Sequence, residues 1–187
     1  MGNIKNKKRP NAKNNKHNWE KRALFVGRFQ PFHKGHLQIL QKLLNQYQEV
    51  IVVLGSAEQP TSLKNPFTAG ERIEMIRGCF SPRQLSNLIF VPVRDINNDG
   101  FWVSHLSSYV PSYNVIYSNN PLVKHLFSKA KKQVKQFKLI NRQHYQGTFI
   151  RKQMTRGKKW QTYLPKSVVK LIQAVDGVDR IKKLTAN

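Results

Sequence analysis

Ala23-Leu24-Phe25-Val26-Gly27-Arg28-Phe29-Gln30-Pro31-Phe32-His33-Lys34-Gly35-His36 is the stretch on which the fold turns. Ala23 to Val26 is a short apolar run of strand length, and Gly27 to Gly35 is rich in turn formers. From His36 onward, Leu37, Leu40, Leu43, Leu44 and Tyr47 recur at the three- and four-residue spacing of an amphipathic helix. Strand, loop and helix therefore follow one another within about 25 residues, the opening of a βαβ unit.

The same alternation continues down the chain. Val50 to Leu54 is a second, β-branched strand. Thr68-Ala69-Gly70-Glu71 has the S/T-x-x-E form of a capping box and predicts a helix that turns Ile73, Ile76 and Phe80 inward. Leu88 to Val93 reads as a third strand, Phe101 to Val110 as a helix and Val115 to Tyr117 as a fourth strand. Pro121 opens another helix, Phe137 to Ile140 is a short final strand, and Pro165 begins a C-terminal helix. That helix turns Val168, Val169, Ile172 and Val175 inward and ends at the Asp176-Gly177 break. Alternating strands and helices without an internal repeat predict an α/β fold, a Rossmann-like three-layer α/β/α sandwich with a mainly parallel sheet. In such sheets ligands bind beyond the carboxyl ends of the strands, here where the loops after the first and fourth strands diverge.

The 187 residues suffice for one domain, assigned to 23–187, preceded by a basic extension over 1–22. In that extension Lys5, Lys7, Lys8, Arg9, Lys13 and Lys16 alternate with asparagines and almost no aliphatic residues, so burial cannot offset the entropy of ordering it. It reads as a solvated low-complexity tail, with weak binding to RNA, DNA or another anionic surface as the alternative. The net charge of +24, from 33 Lys and Arg against 9 Asp and Glu, attracts phosphates of any kind and does not separate nucleotide from nucleic acid. A single cysteine, Cys79, excludes an intramolecular disulfide. Without a signal-like apolar start or a run long enough to cross a membrane, a cytoplasmic protein with no membrane partner is expected.

Two short motifs carry the chemistry. His33 and His36, three apart with Gly35 before the second, can both face an anion lying on the helix N-terminus, where unpaired N–H groups and the dipole favour phosphate. The plainer reading makes each a capping or packing residue. Zinc is not expected, because Cys79 is distant in sequence and no H-E-x-x-H occurs. Later, Gly147-Thr148-Phe149-Ile150-Arg151 offers backbone donors, a hydroxyl and a fixed cation at the start of another helix, a second polyphosphate contact if it lies opposite the histidines.

Taken in order, the segment from Gly27 to His36, Pro66-Phe67-Thr68-Ala69-Gly70-Glu71-Arg72, Tyr117-Ser118-Asn119-Asn120-Pro121-Leu122-Val123 and the segment from Gly147 to Arg151 resemble the successive motifs of archaeal-type nicotinamide-nucleotide adenylyltransferases. Pro92-Val93-Arg94-Asp95-Ile96 followed by Phe101-Trp102-Val103 narrows the likeness to that branch of the wider nucleotidyl transferase superfamily, and the resemblance runs from about Leu24 to Leu184. It implies transfer of AMP from ATP to nicotinamide mononucleotide (NMN), giving NAD and pyrophosphate, with Mg2+ carried in on ATP and assembly into homo-oligomers. The alternatives are adenylyl or cytidylyl transfer to another phosphate acceptor, or a basic nucleic-acid-binding protein with a decayed site.

The resemblance implies His33, His36 and Arg151 as the catalytic residues. Gly27, Arg28, Phe29, Lys64, Gly147 and Thr148 join them in holding ATP, and no protein metal ligands are implied. Trp102 is the stacking partner expected for the cationic nicotinamide ring, the alternative being a core tryptophan. Asp95, Asn119 and Asn120 are expected to read ribose hydroxyls and the carboxamide. Thr68 and Glu71 read as a structural cap, and Arg72 as either an ion-pair partner or a phosphate contact. The chain departs from the family pattern at Gln146 (usually Ser), Asn119 (usually Gly), Asp99 (usually Asn) and Lys64-Asn65 (often Arg-Asp). Asp99 would repel a substrate phosphate unless it faces the positive ring.

Overall fold

Side chains alternate between the two faces of each central strand, and this sorts the core into two clusters. The computed structural model describes residues 21–58, 61–96, 98–137 and 143–186. Strand β1 (Arg22–Gly27) sends Ala23 and Phe25 to one face and Leu24 and Val26 to the other. Strand β2 (Glu49–Leu54) does the same with Val50, Val52 and Leu54 against Ile51 and Val53. Both strands are buried along nearly their whole length, as strands covered on both faces must be. With β3 (Leu88–Pro92), β4 (Val115–Tyr117) and β5 (Val134–Lys135) they form a five-stranded sheet in the order β3-β2-β1-β4-β5, every pairing parallel.

One face is covered by α4 (Asp99–Tyr109) and α5 (Pro121–Lys129), through Leu106, Val123 and Phe127. The other carries α1 (Lys34–Gln46), α2 (Ala69–Arg77), α6 (Gly147–Thr155), α7 (Lys166–Ala174) and α8 (Gly177–Ala186), whose Leu40, Leu43, Ile76, Ile150, Met154, Val168, Ile172 and Ile181 meet the Phe25 side of the sheet. A four-residue α3 (Pro82–Leu85) and a 3-10 turn at Gln161–Tyr163 are found as well among the described residues. This is the expected three-layer sandwich, with a wholly parallel sheet. The strand order reverses at β1, between β2 and β4, so the loops after β1 and β4 part company there and open a crevice.

Three boundaries differ from expectation. Arg22 already belongs to β1, where it pairs with Glu49; the rest of the expected extension, apart from Lys21, lies outside the described residues. Among the described residues the last strand is Val134–Lys135, which ends before the expected start at Phe137. Val134 packs on the Leu24 side of the core and pairs with Ile116, whereas Phe137 follows the strand and 138–140 lie outside the described residues. The C-terminal helix ends at Ala174, and after Asp176 in the left-handed region (φ 49) the chain resumes as α8. That helix is held by Arg180, which forms a two-pronged ion pair with Glu71 (2.8 and 2.9 Å) and donates to the carbonyls of Pro66 and Val175. Glu71 also completes the Thr68 capping box, so the predicted cap doubles as the dock for the C-terminus.

Candidate active site

The loop after β1 is held by contacts that leave two imidazole nitrogens for a ligand. His33 is the N-cap of α1: its Nδ1 accepts the main-chain N–H of His36 (3.2 Å), and Nδ1 of His36 accepts the main-chain N–H of His33 (3.3 Å). It is a capping box built from two histidines, so the capping reading and the phosphate reading are complementary. With each Nδ1 accepting, the neutral rings carry their proton on Nε2. His33 is 3% exposed; burial pushes its pKa down to about 3, only partly opposed by a backbone hydrogen bond. His36 is pushed well below its ordinary value, first by burial and then by the charge of His33. At neutral pH both are therefore neutral donors.

The rings sit in an aromatic stack. Phe32 lies on His36 (5.6 Å, 25°), His36 on His33 (3.5 Å, 14°), and Tyr145 lies over His33 (5.9 Å, 18°). Gly35 belongs between the histidines because a Cβ there would stand 2.9 Å from Cβ of Tyr145. Phe29, expected to hold ATP, is 2% exposed and set edge-on to His36 at 4.9 Å, so its side chain supports the ring from the core.

Beyond the strand ends lies a cavity of about 1260 Å³, above the roughly 300–1,000 Å³ usual for one small ligand. Gly27, Arg28, His33, His36, Asp95, Trp102, Asn119 and Asn120 all line it, so eight of the expected residues meet around one cavity. Arg151, Gly147 and Thr148 are joined to it from behind the loop. The Arg151 guanidinium, 8% exposed, donates to the carbonyl of Gln30 (2.6 Å) and reaches toward the Thr148 hydroxyl (3.5 Å). Burial, followed by the nearby charge of Arg28, lowers its pKa. A Cβ on Gly147 would meet the same Gln30 carbonyl at 2.6 Å, so the start of α6 packs directly on the histidine loop. Lys64 is exposed between β2 and α2 and is not part of this wall.

Several lining residues are already engaged. Asp95 accepts at Oδ1 from the main-chain N–H of Ser56 (3.2 Å) and at Oδ2 from its hydroxyl (2.5 Å). The Asn119 amide pairs with the main chain of Phe137 in both directions (3.0 and 3.2 Å), continuing the β4–β5 edge by a side chain. Asn120 caps α5 through Leu122 N–H (3.0 Å). Trp102 is half-buried, edge-on to Phe127 at 5.7 Å, so it is at once part of the second core cluster and part of the wall.

Arg72 is engaged mainly with main-chain carbonyls, a role the sequence did not suggest. Fully buried, it donates to the carbonyls of Thr68 (3.1 Å), Arg28 (2.8 Å), Gly55 (2.8 Å) and Ser56 (3.2 Å). It thus ties the ends of β1 and β2 to the cap of α2, and through Ser56 to Asp95. Burial brings its pKa down to about 10, with Asp95 raising it and Arg28 lowering it. Sequence reading also passed over Tyr145, Ser56 and Gln30, whose side-chain amide pairs with the main chain of Phe67 (2.8 and 3.0 Å).

Among the described residues no three His, Cys, Asp or Glu side chains gather as metal ligands, and no helix is long and apolar enough to cross a membrane. Residues 24–153 match the cytidylyltransferase-like family. The nicotinamide-nucleotide adenylyltransferase of Thermoplasma acidophilum is 42% identical over 166 residues, 89% of this chain and 93% of that one. The protein of the same name from Picrophilus torridus is 44% identical over 164 residues, 88% and 97% of the two chains. In fold the chain is similar to a bifunctional NMN adenylyltransferase/ADP ribose pyrophosphatase of Francisella tularensis solved with AMP and a manganese ion. The TM-score is 0.74 at 22% identity, over 89% of this chain and 52% of the other. With its sheet order, its two-histidine cap and close relatives matched over almost their full length, the chain belongs to the cytidylyltransferase-like family and, within it, to the nicotinamide-nucleotide adenylyltransferases.

Proposed function

We propose that this chain joins NMN to the AMP half of ATP, making NAD and pyrophosphate, a step of NAD biosynthesis. The observation that carries this is the histidine cap: both Nδ1 atoms are consumed by the main chain, which leaves two neutral Nε2–H donors beside Arg28 in a cavity large enough for two nucleotides. The 5′-phosphate oxygen of NMN attacks the α-phosphorus of ATP in line. The new P–O bond forms as the bond to the β-phosphate oxygen breaks, and the electron pair leaves on pyrophosphate. Positioning and charge stabilisation suffice for such a transfer, so no protein nucleophile is needed.

His33 and His36 donate to the triphosphate, while Arg28 and Arg151 offset charge building on the bridging and leaving oxygens. Gly27, Gly147 and Thr148 bring main-chain and hydroxyl donors near it. Trp102 stacks on the nicotinamide ring, with Asp95, Asn119 and Asn120 around the ribose and carboxamide. The wall's chemistry fits a metal that travels on ATP: carboxylates are few, and both oxygens of Asp95 already accept from Ser56. Carried in on the triphosphate, Mg2+ would supply neutralisation of the phosphate charge there.

Incubation of the protein with ATP, Mg2+ and NMN should release pyrophosphate and form NAD in equal amounts. No product across a range of pH and concentration would overturn the reading. Product from flavin mononucleotide or phosphopantetheine instead would redirect it to another acceptor.

A further inference from the structure

Acidic residues are scarce in this chain, 9 among 187, yet two of them stand on the wall of the cavity. The charged side chains along the described lining are Arg28, Asp95 and Asp99. Arg28 follows β1 beside the two histidines. Asp95 follows β3 and is hydrogen-bonded to Ser56, close to the Arg72 clamp that also holds Arg28, whereas Asp99 stands at the start of α4. Of these lining charges, Asp99 is the one contributed by α4, the helix that also carries Trp102.

Asp99 is the first residue of α4, where a negative charge is favoured by the helix dipole, and Trp102 lies three residues on. Residues three apart share a helix face with Cβ atoms about 5–6 Å apart, and both line the cavity. A flat ring lying on the indole would thus have the Asp99 carboxylate at its edge. Both oxygens of Asp95 already accept from Ser56, whereas Asp99 shares a helix face with Trp102, so Asp99 is the lining carboxylate that the fold ties to that ring. A positive pyridinium gains from this placement. A carboxylate on the ring would be repelled, and two like charges about 4 Å apart cost from roughly fivefold upward in an equilibrium constant, more as water is excluded. The field of a chain with net charge +24 cannot supply this choice, since it attracts the phosphates of either mononucleotide alike.

We infer that Asp99 is a specificity-determining residue that makes this site reject the mononucleotide carrying a ring carboxylate, nicotinic acid mononucleotide, in favour of the carboxamide form. The inference rests on the adenylyl-transfer reading and deepens it.

The test compares kcat/KM for the two mononucleotides at saturating ATP and Mg2+ in the full chain, in Asp99→Asn and in Asp99→Glu, with thermal melts confirming that each variant is folded. The full chain should prefer NMN by about tenfold or more. Asp99→Asn should shift the ratio toward the carboxylate substrate by a similar factor, and Asp99→Glu should restore most of the preference. Raising ionic strength should shrink the preference in the full chain, because a half-open charge pair is screened over a Debye length of about 8 Å at physiological salt. Equal use of the two substrates, a ratio unmoved in Asp99→Asn, or a preference indifferent to salt would overturn the inference while leaving adenylyl transfer standing. Absence of product from both substrates would bring down adenylyl transfer itself, and this inference with it.

Discussion

The imidazoles of His33 and His36 lie face to face, centroids 3.5 Å apart and 14° from parallel, each accepting at Nδ1 the main-chain N–H of the other. One nitrogen of each ring is spent on the fold, the other is left for the ligand, and a substitution can separate the two. In His33→Asn the amide oxygen can replace Nδ1 as an N-cap acceptor, but nothing stands where Nε2 was. We expect kcat/KM for ATP to fall about 10²–10³-fold, the usual cost of one lost donor at a developing charge, with little change in melting temperature. A variant that loses its stability in proportion to its activity would show that His33 acts through folding alone.

The same burial makes stability depend on pH. His33 is held down to about 3 and His36 well below its ordinary value, so between these values and the unfolded value of 6.5 the unfolded chain binds more protons than the folded one. Their contribution is complete above the unfolded pKa and is lost progressively as pH falls toward the folded ones. Glu71 gives up its share only in more acid solution. Its burial alone would raise its pKa, but hydrogen bonds from Arg180 and Thr68 bring it below 4.5. The melting temperature should decline from pH 7 to pH 5, and the decline should be shallower in His33→Asn. A flat profile over that range would contradict neutral buried histidines.

Gly147 lets α6 touch the histidine loop. A Cβ there would stand 2.6 Å from the carbonyl oxygen of Gln30 and 3.1 Å from the guanidinium of Arg151 that binds it. The first of these is main chain and cannot swing aside. Gly147→Ala should therefore cost about 1–3 kcal/mol of stability, as overpacking does, and should raise the KM for ATP by loosening Arg151 from Gln30. Wild-type kinetics in this variant would show that the junction of α6 with the loop is not needed for turnover.

Trp102 has one edge in the core and one side on the cavity. Trp102→Ala removes both contributions, whereas Trp102→Phe keeps a ring and much of the contact with Phe127. The KM for NMN should rise roughly tenfold or more in the alanine variant, the worth of a stacked base, with a smaller rise for phenylalanine and little change in the KM for ATP. Equal rises for the two substrates would remove the stacking role.

The sequence made periodicity legible and concealed long-range partnerships. Leu24 and Val26 against Ala23 and Phe25 announced a strand buried on both faces, and Thr68 with Glu71 announced a cap that the fold contains. The helix over Gly177–Ala186 lies beyond the Asp176-Gly177 break, which is a corner and not an end, although Val178, Ile181 and Leu184 recur there at helical spacing. The cavity brought together most of the residues the motifs singled out. What no local pattern carried was how already-engaged side chains divide their hydrogen bonds: Asn119 with Phe137, Asp95 with Ser56, Gln30 with Phe67. Those pairs are 18 to 39 residues apart and depend on where strands end, which hydropathy does not encode.

Arg72 is the clearest of these hidden partnerships. Its guanidinium reaches the carbonyls of Arg28, Gly55, Ser56 and Thr68, and so sets the spacing between two strand ends that border the cavity. A planar fork can bind acceptors on three segments at once; a lysine ammonium, a point donor on a flexible stem, cannot. Removing the side chain altogether would leave the carbonyls of Arg28, Gly55 and Ser56 short of a donor, while Thr68 keeps the main-chain N–H of Arg72, at about 1–3 kcal/mol for each buried one, a loss large against a domain's whole stability. Arg72→Lys keeps the charge and the bulk and is the informative variant. It should melt several degrees lower than the wild type, and kcat should fall at least about tenfold at saturating ATP and NMN, since a misplacement of the order of 1 Å at a reacting centre costs more than that. A kcat that survives alongside a lowered melting temperature would confine Arg72 to folding; a kcat lost at temperatures where circular dichroism still reports a folded chain would establish that the carbonyl clamp positions Arg28 for the transfer.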